Sequence, residues 1–234
     1  MKVFYNYLKF QDIIDENPFN QLRFQFRKEK ILPKTIPYDI LKSVYSYSEQ
    51  KVIYSKSKYQ KQKAERNLLI ISLLLSTGIR ISELCHIHLK DINFSNRTLH
   101  IIGKGKKERI LFLGDQTTFN LLETYINKYY IRPNDYLFTG QNPLKALSEQ
   151  SVRLILKKMV KKNNLSITIT PHMFRHSFAT MLLDKNVDIR YIQQILGHSS
   201  ISVTQIYTHV SQSKQKEILT LCNPISSIRS RPQK

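Results

Sequence analysis

Thr170-Pro171-His172-Met173-Phe174-Arg175-His176-Ser177-Phe178-Ala179-Thr180 is the stretch from which the rest of the chain is read. Thr170 is a good helix N-cap and Pro171 suits the first helical position, so a helix opens here. Phe174, Phe178, Met181 and Leu182 fall at i, i+4, i+7 and i+8 and form its core stripe. His172 and Arg175, three apart, share another face near the positive N-terminal end of the helix, where phosphate is favoured. A solvated surface pair is the plainer reading of His-x-x-Arg taken alone. His172 and His176 have the spacing of a zinc helix, but Met173 stands where a metalloprotease needs its glutamate.

Downstream, Asp188 caps a short helix that Gly197 ends, leaving His198 in a turn before another helix that starts after Ser199-Ser200. Tyr207 follows nine residues later, one of 13 tyrosines, so only its position distinguishes it. Upstream, Ala64-Glu65-Arg66-Asn67 opens a strongly apolar helix that Gly78 ends in a left-handed conformation, and Arg80 comes immediately after, able to pair with Glu83 at i+3. Thr98–Ile102 and Arg109–Leu113 read as two strands around Gly103-Lys104-Gly105-Lys106-Lys107, in a hairpin or a three-stranded sheet. Helices are expected at about 116–130 and about 148–163. The fold class is therefore mostly α with a small antiparallel β-sheet.

The ends are less regular. Val3-Phe4-Tyr5-Asn6-Tyr7-Leu8 through Ile13-Ile14 reads as one amphipathic helix that Glu16-Asn17-Pro18 breaks. A Lys-rich linker leads to a boundary near Pro33 and a helix from Tyr38, and a basic, polar stretch from Tyr54 to Lys63 precedes the apolar helix. Gln212 to Cys222 reads as a short helix followed by a basic end, Arg229 to Lys234.

Lys and Arg outnumber Asp and Glu by 37 to 17, a net charge of +20, which points to a polyanion and above all to nucleic acid. The basic residues are scattered from Lys2 to Lys234 instead of lining one amphipathic helix, and the apolar run Leu68–Leu75 is too short to span a bilayer, so no membrane association is expected. Cys85 and Cys222 have neither metal-ligand spacing nor a disulfide framework, and no secretory h-region follows Met1. A cytoplasmic setting is expected. No carboxylates have two-metal nuclease spacing. Guanidiniums, an imidazole and a tyrosine hydroxyl are the chemical set that a phosphodiester in transfer requires, the first for its developing charge and the last for attack.

These residues resemble, in order, the tyrosine recombinases, the family of phage integrases and Xer-type resolvases. Thr77-Gly78-Ile79-Arg80-Ile81-Ser82-Glu83-Leu84 is similar to the first-arginine box, and Ile102-Gly103-Lys104-Gly105-Lys106-Lys107-Glu108-Arg109 to the β-hairpin lysine box. Thr170 to Thr180 is similar to the second-arginine box, with Leu196-Gly197-His198-Ser199-Ser200 and Thr204-Gln205-Ile206-Tyr207-Thr208-His209 completing the set. The resemblance implies the catalytic domain of a site-specific DNA recombinase over residues 34–210. In it Tyr207 attacks the scissile phosphate, giving a 3′-phosphotyrosyl link and a free 5′-hydroxyl. Arg80 and Arg175 clamp the non-bridging oxygens, Lys104 protonates the leaving oxygen, His172 acts in acid/base transfer, His198 stabilises the transition state and Glu83 orients its neighbours.

The same resemblance implies no metal or nucleotide cofactor, double-stranded DNA as partner, a monomer in solution and a tetramer on synapsed DNA, in a prokaryotic cell or mobile element. Residues 1–33 resemble the last helix and exit of the family's N-terminal core-binding domain, as a fragment, a cut reading frame or a short form similar to the fimbrial-switch invertases. Residues 211–234 form a C-terminal helix and basic tail, docking either on a neighbouring protomer or within the chain. A non-catalytic DNA-binding regulator and a type IB topoisomerase are the alternatives.

Overall fold

The computed structural model describes residues 1–20, 34–103, 108–129, 132, 135–140, 142–197 and 212–229. The chain divides into two compact units, Met1–Leu32 and Pro33–Lys234.

In the first unit, helix α1 (Lys2–Phe10) is shorter than the sequence pattern suggested. It stops because Asp12 takes a positive φ of 53°, which turns the chain before Ile13 and Ile14 can extend the helix. Buried Asn17 ties the returning segment down, donating to Asn6 Oδ1 (2.6 Å) and the Lys2 carbonyl (3.1 Å), while the rings of Tyr5 and Phe19 pack 5.1 Å apart.

The second unit is built around α3 (Lys58–Thr77). Every residue from Leu68 to Thr77 is buried, so this half of the helix is surrounded on all sides and packs against α2 (Tyr38–Ile53), α5 (Gln116–Tyr129), α7 (Pro171–Leu183) and α10 (Pro224–Arg229). It begins before Ala64 because the Ser57 side chain caps it, accepting from Gln60 N at 3.2 Å, which draws half of the basic stretch into the helix. It ends at Gly78, whose φ of 62° only glycine adopts cheaply. The short α4 (Ile81–Cys85) follows at once.

Strands β1 (Ile92–Asn93), β2 (Thr98–Ile102) and β3 (Glu108–Phe112) form an antiparallel sheet in sequence order. Leu99 faces Leu111 and Ile101 faces Arg109 across the ladder, placing Arg109 on the same side as the buried Leu99 and Ile101. Leu111 belongs to the main core and Phe112 to a second cluster formed with Phe178 and Leu182 of α7, Ile192, Ile195 and Leu196 of α8 (Ile189–Leu196), and Ile218 and Leu219 of α9 (Gln212–Leu221).

The expected caps form: Thr170 opens α7 with Pro171 in its first turn, and Asp188 opens α8; Ser148 also caps α6 (Glu149–Lys162). The helix expected after Ser199-Ser200 lies outside the described residues.

The C-terminal segment docks on its own unit. A Cβ at Gly114 would sit 2.2 Å from the Leu219 carbonyl oxygen, so glycine is what lets the α9 backbone approach the end of the sheet. After α9 the sequence pattern promised only a basic tail, but Pro224 starts α10. Ile225 and Ile228 enter the core, and Arg229 bonds to Asp115, the Tyr45 hydroxyl (2.7 Å) and Thr118 Oγ1 (3.2 Å).

Candidate active site

Gly78 places Arg80 just beyond the end of α3, and α7 presents Arg175 toward the same region. Arg175 is 7% exposed, and its guanidinium donates to the Gly78 carbonyl (2.8 Å) and the Leu196 carbonyl (2.5 Å). Arg80 donates from Nη2 to the Gly197 carbonyl at 3.1 Å, with about a third of its side chain (35%) open to solvent. Both arginines thus converge on the C-terminal end of α8, whose last carbonyls lack helical partners and carry partial negative charge. His198 is the next residue.

Glu83 organises the cluster. Its carboxylate accepts from the Arg80 backbone N–H (3.0 Å) and Arg80 Nη1 (2.9 Å), and from Arg109 Nη1 (2.7 Å) and Nη2 (2.8 Å). Burial raises its pKa, but the hydrogen bond and charge of Arg109, followed by the hydrogen bonds of Arg80, outweigh that and hold it at about 2. Burial, then the neighbouring Arg80 and Arg109 charges, bring Arg175 down to about 10, with Glu83 opposing; it stays protonated at neutral pH. Two guanidiniums bonded to one carboxylate, with the Arg175 charge close by, leave a net positive site that can take an anionic oxygen.

Arg109 is the residue that sequence reading missed. It stands at the end of the lysine box, but its bidentate bond to Glu83 spans 26 residues and needs the sheet to exist. The available signal was alternation: a residue facing inward beside Leu99 and Ile101 that carries a guanidinium requires a buried acid. Its stem also packs on Gly197, where an added Cβ would lie 2.8 Å from Arg109 Cδ. Its buried Nε has no acceptor among the described residues.

His172 lies in the first turn of α7, exposed to solvent, one turn from Arg175. His176 has its pKa lowered by burial first and then by the charges of His172 and Arg175. The structure therefore brings together Arg80, Glu83 and Arg175, with His172 on the helix that carries Arg175. Lys104, His198 and Tyr207 lie outside the described residues. The described segments on either side of them end at Gly103 and resume at Glu108, and end at Gly197 and resume at Gln212. Among the described residues no group of three or more His, Cys, Asp or Glu side chains is placed to hold a metal ion, and no helix is long and apolar enough to cross a membrane.

The Phage integrase family model matches residues 45–214. A tyrosine recombinase of Agathobacter rectalis is 48% identical over 227 residues, 96% of this chain and 74% of that protein. Tyrosine recombinase XerC of Bacillus subtilis is 35% identical over 221 residues, 91% of this chain and 68% of its own length. Among solved structures, the XerA recombinase crystal structure aligns with a TM-score of 0.61 and 26% identity over 97% of this chain and 74% of that one. A post-cleavage complex of XerH recombinase with a palindromic difH substrate aligns with a TM-score of 0.67 and 25% identity over 93% of this chain and 63% of that one.

Proposed function

Since the chain belongs to the phage integrase family of tyrosine recombinases, we propose that its arginine cluster, with Tyr207, Lys104 and His198, is the strand-exchange centre of a site-specific DNA recombinase. The enzyme cleaves and rejoins double-stranded DNA. The observation that carries the site assignment is the convergence of Arg80 and Arg175, braced by Glu83, on the backbone that leads directly into His198.

In the proposed sequence the Tyr207 oxygen attacks the scissile phosphorus and the bond to O5′ breaks. Arg80 and Arg175 face the two non-bridging oxygens, whose growing charge they stabilise more than that of the resting diester. His172 accepts the phenol proton, Lys104 supplies the proton that O5′ needs, and His198 donates a hydrogen bond to the phosphoryl group. The product is a 3′-phosphotyrosyl ester, with the phosphodiester's energy retained for attack by the 5′-hydroxyl of a second strand. Each step moves a proton or an ester bond, so the account needs no metal and no nucleotide.

Residues 34–210 are assigned as the catalytic domain and residues 1–33 as the last helix and exit of a core-binding domain. A cytoplasmic monomer that becomes a tetramer on two synapsed duplexes completes the reading. Support for the monomer comes from α9, which is seated on its own chain through Ile218 and Leu219. The test is a nicked suicide duplex carrying the protein's own recombination site. A detergent-resistant protein–DNA adduct is expected, and stable binding without any adduct would refute the catalytic reading.

A further inference from the structure

The end of α3 far from Arg80 carries a second feature with nucleic-acid chemistry. From Lys63 to Thr77 the helix runs about 20 Å, so what happens at its N-terminal half is out of reach of the arginine cluster. There α2, α3 and α6 enclose an open cleft of about 800 Å³. Its two long walls carry the same unit: Tyr47 and Lys51 on α2, and Tyr59 and Lys63 on α3, each an i, i+4 pair with the ammonium over the ring, at 5.3 Å and 6.0 Å from the centroid. Lys158 of α6 and Arg66 at the floor add two more cations.

No Asp or Glu lines the cleft among the described residues, and Lys51, Lys63 and Lys158 make no ion pair there. The nearest carboxylate along α3, Glu65, is turned away to Lys128 (2.6 Å) and the Tyr129 hydroxyl (2.6 Å). Arg66 is held by the Thr139 carbonyl at 2.6 Å and leaves its buried Nε without an acceptor. Uncompensated cations and ring faces that alternate along two walls fit a ligand that alternates the complementary groups, flat π-systems and single negative charges. An acidic peptide would satisfy the ammoniums and leave the ring faces idle. An unpaired DNA strand uses both, because each nucleotide carries a base face and a phosphate.

We propose that this cleft is a second nucleic-acid site, which holds a short unpaired DNA strand by stacking bases on Tyr47 and Tyr59 and pairing phosphates with Lys51, Lys63 and Lys158. The choice of DNA rests on the recombinase reading, since strand exchange frees unpaired ends; the binding itself does not require Tyr207 or either catalytic arginine.

The test uses the full chain and a fluorescent oligothymidylate about twelve nucleotides long, part of it substituted with 5-iodouracil. Photocross-links should map to peptides from α2 and the first half of α3. Tyr59→Ala and, separately, Lys63→Gln should weaken strand binding about tenfold while changing affinity for a duplex of equal length less than about twofold. Both side chains are exposed, and unchanged melting temperatures should confirm that the fold is intact. Cross-links confined to other regions would overturn the proposal, as would equal losses for strand and duplex, or displacement of the strand by free ATP or an acidic peptide at matched charge. Adduct formation on a nicked duplex, run in parallel, keeps the two accounts apart: cross-links elsewhere with normal adduct leave the recombinase reading standing, and correct cross-links without adduct remove only that reading.

Discussion

Glu83 binds Arg109 through both of its oxygens, at 2.7 and 2.8 Å, while the same carboxylate holds Arg80. One acid therefore links the strand that follows the lysine hairpin to the arginine that follows α3. The pair is almost fully enclosed, with the Glu83 side chain 3% and the Arg109 side chain 15% exposed. Arg109→Gln should cost about 3 kcal/mol of stability in denaturant titration, as expected when one partner of a buried pair is removed. Adduct formation should fall about tenfold or more, with DNA affinity nearly unchanged, because Glu83, which braces Arg80, loses its own anchor.

The same pair sets an acid limit. Glu83 is depressed from 4.5 to about 2 in the folded state, so its contribution is fully present above pH 4.5 and is lost as pH falls from there toward 2. A shift of that size corresponds to about 3 kcal/mol. Stability measured against pH should decline across this window in the native protein. Glu83→Gln should be less stable at neutral pH and should lose most of that slope.

Gly78 and Gly197 separate strain from function. Both have a positive φ, 62° and 65°. A Cβ at Gly78 would meet the Phe178 ring at 2.5 Å and Leu196 at 2.8 Å, inside a packed cluster, whereas at Gly197 its nearest neighbours are atoms of the flexible Arg109 side chain, Cδ at 2.8 Å first. Gly78→Ala should cost about 3 kcal/mol, combining backbone strain with overpacking. Gly197→Ala should cost about 1 kcal/mol and depress cleavage more than stability, since it displaces the Arg109 stem while leaving its bond to Glu83 in place.

The reach of the sequence follows from which contacts are local. Thr170-Pro171, Asp188 and Gly78 mark their helix ends correctly because a cap acts on atoms three or four residues away. The early start of α3 was legible by the same rule in Ser57-Lys58-Tyr59-Gln60, but the density of lysines hid it. Helix α10 was not legible: Asn223-Pro224 looks like a stop, and only tertiary packing reveals that Ile225 and Ile228 are core and that Arg229 meets Asp115 across 114 residues. Arg80, Glu83 and Arg175 could be named from their motifs, while the bond that joins Arg109 to them exists only once the sheet registers Arg109 opposite Ile101.

The C-terminal clasp gives a further outcome. Removing residues after Cys222 takes two core isoleucines and the Arg229 network away together. The truncated protein should lose at least about 4 kcal/mol, read from the denaturation midpoint, and Arg229→Ala alone about 2 kcal/mol.

Whether this cluster serves a tyrosine nucleophile at position 207 is tested by trapping the protein on a nicked suicide duplex and mapping the modified peptide by mass spectrometry. A nucleotide adduct on Tyr207 is expected in the native protein, and Tyr207→Phe should bind the same duplex yet form none. An adduct on any other residue, or one that persists in Tyr207→Phe, would contradict that role.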